Sequence, residues 1–277
     1  MEKLGSVPSP RRLRLMIPPR PPRPTHGSIF HLCAGLLSLL ISVAIGRGAD
    51  SAPWPEWRAP LLVKFANELQ PLNAALDASP DSVPLLSQRG DRHLFLGQFA
   101  QAVADFEKMI ALDPREDAQH WRLGIAYYFA GQFEKSAAQF AKYHAHDGRD
   151  RENGIWKFLA QAQADGVEKA RAEMLVYTQF DREPFPSLYA MFAGQMSPDE
   201  VLAEIARKGL EDELQVVFFG NYYAGLEEAR RGRRERALEL LTKAVALPQA
   251  RTPGGPGYMW QVARLHWERL RAEPAPQ

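Results

Sequence analysis

Histidines, a lone cysteine and a run of arginines are the side chains here with evident chemical capacity, and their spacing decides what they can do. His144 and His146 stand two apart, so on a helix they point to different faces and lack the i, i+4 arrangement of a helical metal pair. His93 and His120 lie elsewhere in the chain, and all four read as ordinary surface histidines. Cys33 is the only cysteine, which excludes an internal disulfide framework and a four-cysteine zinc site. There is no serine elbow, phosphate loop or zinc-protease motif, and the carboxylates are scattered. The expectation is a protein without catalytic residues, bound metal or cofactor; a metal-dependent hydrolase using the histidines is the remotest alternative.

Arg230, Arg231, Arg233, Arg234 and Arg236 surround Gly232 and could meet an anionic lipid or an acidic partner. Glu227, Glu228, Glu235 and Glu239 interleave with them, so a solvated turn with local ion pairs is the favoured reading. The net charge of +1 hides an asymmetry: residues 1–50 carry seven Lys/Arg against two Asp/Glu, leaving 27 against 31 and a net −4 for the remainder. A mildly acidic body argues against nucleic acid as a partner, because that needs a broad basic face.

The elements that must position these residues follow from composition and periodicity. Residues 1–50 form a basic, proline-rich leader followed by an apolar run at 29–45, which reads as a signal peptide or membrane anchor that places the body outside the cytoplasm. On that reading the body meets a membrane only through this segment. Residues 51–82 hold one helix, about 60–78. Shifting the sequence by 34 positions then aligns Gly90 with Gly124, Phe95 with Phe129, Gly97 with Gly131, Gln98 with Gln132, Phe99 with Phe133, Ala104 with Ala138, Phe106 with Phe140 and Lys108 with Lys142. Each unit in 83–147 reads as two helices and a tight turn, with the mid-helix glycines admitting close helix approach. Arg89, where an aliphatic residue is expected, points to an irregular first hairpin. Residues 148–215 carry intervening helices: 155–164 after Asn153 as N-cap, 167–180, and one opened by the capping box Ser197-Pro198-Asp199-Glu200. A proline-broken linker covers 181–187, and 210–219 continues as helix. Residues 216–272 repeat the offsets with Gly225, Gly232, Ala237 and Leu241 and end in a capping helix.

The period and the glycine, alanine and aromatic positions resemble the tetratricopeptide repeat, which implies an all-α fold of helix-turn-helix repeats, an α-solenoid, with extra packing and capping helices. More loosely, 83–270 resembles the NlpI-type periplasmic repeat lipoproteins in Trp156-Lys157-Phe158-Leu159-Ala160, Asn221-Tyr222-Tyr223-Ala224-Gly225 and Ala244-Val245-Ala246. Cys33 follows Leu32 near the start of the apolar run, away from the place a lipidation site requires. The resemblance implies a non-catalytic adaptor of the bacterial cell envelope, with envelope hydrolases or proteases as partners. It also implies a partner-binding groove along the first helices of the repeats, at Trp121, Arg122, Ile125, Tyr128, Phe129, Tyr222 and Tyr223, where aromatic anchors beside an arginine suit a peptide. Two alternatives stand beside it: a groove filled by a segment of the protein itself, and a module that binds cell-wall glycan or peptide.

Overall fold

The computed structural model describes residues 53–247, 255 and 257–273, all within one compact unit, Gly46–Gln277. The leader, the apolar run and most of the Gly/Pro loop before the last helix lie outside the described residues. Those that are described form α-helices, one 3-10 turn and no strand: the chain is an all-α helical-repeat protein.

α1 (Arg58–Ala78) precedes three hairpins: α2 (Val83–Phe95) with α3 (Phe99–Leu112), α4 (Trp121–Phe129) with α5 (Phe133–His146), and α10 (Leu214–Arg230) with α11 (Arg234–Ala246). Between the second and third hairpins run α6 (Arg151–Asp165), α7 (Val167–Ala172), α8 (Phe185–Phe192) and α9 (Pro198–Arg207), and α12 (Gly257–Ala272) closes the chain.

One packing rule builds all three hairpins. The mid-helix glycine of the first helix faces the bulky residue sixteen positions on in the second. A Cβ on Gly90 would sit 2.5 Å from the Phe106 ring, on Gly124 2.7 Å from the Phe140 ring, and on Gly225 2.9 Å from Leu241. The turn is equally regular. Gly97, Gly131 and Gly232 have φ of 76°, 73° and 76°, the left-handed region that side chains disfavour. The next residue donates back over five positions, as in Gln98 N–H to His93 C=O at 2.8 Å and Gln132 N–H to Tyr127 C=O at 2.9 Å. This closes the last helical turn and satisfies its free carbonyls. The first hairpin is as regular as the others, because Arg89 does not disturb it: its guanidinium grips the buried Asp105 carboxylate at 2.6 and 2.9 Å.

Four sequence expectations change between the second and third hairpins. α6 is capped by Asp150, whose carboxylate accepts from Glu152 N–H, while Asn153 donates to that same carboxylate instead of capping. The helix expected over 167–180 stops at Ala172. Val176, Tyr177 and Thr178 have the branched and aromatic side chains that favour extended backbone, and Tyr177 lodges against Gly154, edge-on to Tyr189 at 5.0 Å. The linker expected at 181–187 ends at Pro184, since α8 begins at Phe185, and the helix expected from 210 begins at Leu214, because α9 ends in the glycine turn at Gly209 (φ 66°). The capping box is present in full: Ser197 N–H donates to Glu200 at 2.6 Å, and Glu200 N–H donates to Ser197 Oγ at 3.2 Å.

Candidate functional site

α12 decides the state of the face that was expected to be a groove. Its residues Met259, Trp260, Val262, Ala263, Leu265 and Trp267 are buried, and it binds the rest of the body by polar contacts as well. Arg264, fully buried, donates to Gln261, to Glu268 and to the carbonyl of Phe95 in α2, while Arg58 of α1 donates to Glu268 at 2.7 Å. Trp57 meets Trp260 edge-on at 5.1 Å.

Under this helix lie most of the expected groove residues. His266 packs against Phe129 at 4.6 Å and Tyr128 at 5.6 Å, and its Nδ1 stands 2.9 Å from the Tyr222 hydroxyl. Tyr258 meets Trp121 edge-on at 4.8 Å. Ile125, Phe129, Tyr222 and Tyr223 are core residues, the last two with no exposed surface: α12 covers Phe129 and Tyr222 through His266, whereas Tyr223 is enclosed by Glu152 of α6 and by Phe185 and Phe192 of α8. Arg122 is engaged inside the chain, donating to Asp91 at 2.7 Å and Ser87 at 2.9 Å. Trp121 and Tyr128 remain half-buried at the margins of α12. The structure thus places the chain's own last helix against Trp121, Tyr128, Phe129 and Tyr222, while Arg122 turns to α2 and Tyr223 to α6 and α8.

The histidines divide. His144 packs on Tyr177 at 4.9 Å, and His146 lies against Tyr143 at 5.6 Å. His93 shares a hydrogen bond with the Gln98 side chain. His120 is not a surface residue: it is 4% exposed, caps α4 by accepting from Leu123 N–H at 3.1 Å, and burial pushes its pKa down to about 4. Among the described residues no three histidine, cysteine or carboxylate groups converge to hold a metal. Four of the five arginines around Gly232 are paired with carboxylates, Arg230 and Arg231 with the buried Glu227, Arg233 with Glu228, and Arg236 with Glu239 and Asp199, while Arg234 donates to the carbonyls of Leu270 and Glu273.

Sequence reasoning missed a pocket of about 220 Å³ beside the covered face, lined by Trp121, Tyr143, Trp156, Asp150, Glu152 and Arg182 among others. Its acidic side is a network in which three carboxylates meet one guanidinium. Arg182 reaches Glu152 at 2.6 Å, Asp181 at 3.0 Å and Asp150 at 3.3 Å. Tyr223, from the core, donates to the other oxygen of Glu152 at 2.6 Å. Burial, reinforced by the Asp150 charge, raises the Glu152 pKa to about 7. Burial also raises the carboxyl of Asp150, against the pull of Arg182. The residues come from α4, α5, α6 and the segment before α8, so only the spacing of Asp150 and Glu152 hinted at it in the sequence.

No protein-family model matches the chain. A 60-residue stretch is 38% identical to the protein SGT1 homolog of Bos taurus, a tetratricopeptide-repeat-containing protein; the match covers 22% of this chain and 18% of that protein. The all-helical fold and this similarity are compatible with a tetratricopeptide-repeat protein. No relation to the NlpI-type lipoproteins emerges from the comparisons.

Proposed function

We propose that this chain is a non-catalytic scaffold that holds partner proteins on the side of the repeats beside α12, around the turn from α5 to α6. One observation carries the proposal. Among the described residues the two most exposed large apolar side chains, Val176 at 78% and Phe180 at 70%, share one non-helical, uncharged segment beside that turn. Isolated exposed apolar residues are common on any surface, but two on one such segment mark a place of contact. Trp121 and Tyr143, half-buried, border the same region. The basic leader and apolar run at 29–45 support a setting outside the cytoplasm, in the bacterial envelope, where hydrolases or proteases are the partners the wider resemblance implies.

The test is a pull-down from envelope extract with the native chain, with Trp121→Ala and with Val176→Asp/Phe180→Asp, each checked for unchanged helicity. A partner retained by the native chain and lost with the double variant supports this surface. Retention unchanged by every variant sinks it. A module for cell-wall glycan or peptide is the second reading, and a cavity of about 310 Å³ lined by Tyr128, Leu159, Gln163, Arg230, His266 and Arg269 favours it. Binding to isolated wall material with no protein retained would select that reading.

A further inference from the structure

A free backbone edge and the acidic pocket adjoin the same turn. From Met174 to Phe180 the chain carries no charge, glycine or proline. Residues 175–178 alternate half-buried and exposed, which is the period of an extended strand. The carbonyl of Glu173 accepts from Lys157 at 2.8 Å and that of Leu175 from Tyr189 at 2.7 Å, so the odd-numbered residues turn their backbone groups toward α6 and α8. Alternate residues of an extended chain direct theirs to opposite sides, which leaves Val176 and Thr178 facing away. Among the described residues none of the N–H groups of 175–180 donates to another backbone carbonyl. Such an edge is a template for an added strand.

Two residues past Phe180, Arg182 stands at the pocket with Asp150 and Glu152 on its wall, and Asp181 pairs with the same guanidinium, so carboxylate is in excess over it. No three of these groups converge as a metal cage. The aromatic walls, Trp121, Tyr143, Phe140 and Trp156, suit an organic cation, because a ring face attracts positive charge while the carboxylates neutralise it.

We propose that the pocket takes the alkylammonium group of a lysine side chain, presented by an extended peptide that pairs with the free edge of 175–180. This rests on the protein-interaction reading above and names the chemistry of the partner. The volume of about 220 Å³ admits one side chain rather than a folded surface, and the edge supplies the remaining contact.

The experiment titrates the full chain with two end-blocked peptides of alternating valine and threonine, one with a central lysine and one with norleucine in its place, followed by calorimetry. The lysine peptide should bind about tenfold more tightly, the effect of one cation placed against aromatic rings and carboxylate. At pH 8, where Glu152 is ionised, Glu152→Gln should remove most of that preference while leaving the norleucine peptide unaffected, and Thr178→Pro, which deletes an edge N–H, should weaken both peptides. Butylamine alone should bind far more weakly than the lysine peptide; equal binding would place the affinity in the amine and overturn the strand pairing. Equal affinity for the two peptides, a preference that survives Glu152→Gln in a folded variant, or no binding by either peptide overturns the proposal. Because the pull-down reads the Val176/Phe180 surface with an intact partner, failure of the peptides leaves that result standing.

Discussion

The Tyr222 hydroxyl and Nδ1 of His266 meet 2.9 Å apart, joining α10 to α12 in the centre of the protein. Phe129, Tyr128 and Trp156 surround the imidazole, and burial pushes its pKa down to about 3. A neutral imidazole is therefore part of the folded state, and this depressed pKa fixes the sign of its effect. Its contribution to stability is complete above about pH 6.5 and is lost as pH falls toward 3. Denaturant titrations should show stability falling below pH 6.5, and His266→Gln should reduce that slope by about 1.4 kcal/mol per pH unit, the value for one proton. His120 keeps its own share of the slope in that variant, since its pKa is also depressed, to about 4. An unchanged slope in His266→Gln would show that the ring is protonated in the fold.

Tyr222→Phe isolates the hydrogen bond from the packing. The ring remains in its buried site while the polar atom of His266 loses its partner, which costs about 1 to 3 kcal/mol at neutral pH. Chemical denaturation read by tryptophan fluorescence measures the loss, and a change under about 0.3 kcal/mol, the usual scatter for an uninvolved group, would show the contact to be idle.

The Gly124–Phe140 contact gives the opposite of what helix propensity alone predicts. Alanine is about 1 kcal/mol better than glycine inside a helix. A Cβ at Gly124 would stand 2.7 Å from the Phe140 ring, however, and the same helix is tied there by Ser136 Oγ donating to the Gly124 carbonyl at 2.8 Å. Gly124→Ala should therefore destabilise by about 1 to 3 kcal/mol, the range for overpacking a filled core. Adding Phe140→Leu should recover part of the loss, since it removes the ring atoms that a Cβ at 124 would meet.

This repeated contact also explains why the hairpins were legible in the sequence. A glycine and a bulky residue sixteen apart, with a second glycine at the turn, is a local code, and local codes survive reading one chain alone. The apolar residues of 174–180 fit a helical face, so the sequence alone points to a helix there; what keeps the segment out of one is Tyr177 against Gly154, a contact between distant parts of the chain. The fate of the groove was likewise a tertiary matter. Nothing in the spacing of Trp121 and Tyr222 reveals that Tyr258 and His266 come back to cover them. The acidic pocket needs Asp150, Glu152, Asp181 and Tyr223 together, and only packing assembles them.

Glu152 should make the protein more stable in mild acid than its neutral counterpart would lead one to expect. It is faced by Asp150, Asp181, Arg182 and the Tyr223 hydroxyl, and its pKa rises from 4.5 to about 7, chiefly through burial. A raised pKa means the protonated form fits the fold, so this contribution is complete below about pH 4.5 and is lost as pH rises through 7. Glu152→Gln keeps a group that can accept from Tyr223 and removes the titration, while Arg182 retains Asp150 and Asp181. The stability of the variant relative to the native chain should rise by about 3 kcal/mol between pH 4.5 and 8. A difference constant over that range would mean that Glu152 ionises normally.

Arg264 tests whether α12 belongs to the body or only rests on it. The guanidinium has no exposed surface and donates to Gln261 at 2.9 Å, to Glu268 at 2.9 Å and to the Phe95 carbonyl, and Glu268 in turn receives Arg58. Removing one partner of a buried pair strands the others, at a cost of about 3 to 5 kcal/mol. Arg264→Ala should lose that much in one cooperative transition if α12 is integral to the fold. If the helix is only docked, the variant should release α12 first: limited proteolysis would cut within 257–272 while α1 to α11 stay folded, and Tyr222 would become reachable by solvent quenchers. Guanidinium denaturation followed at helices and at tryptophan separates these outcomes, since coincident curves mean one unit and displaced curves mean a detachable cover over the face formed by Trp121, Tyr128 and Tyr222.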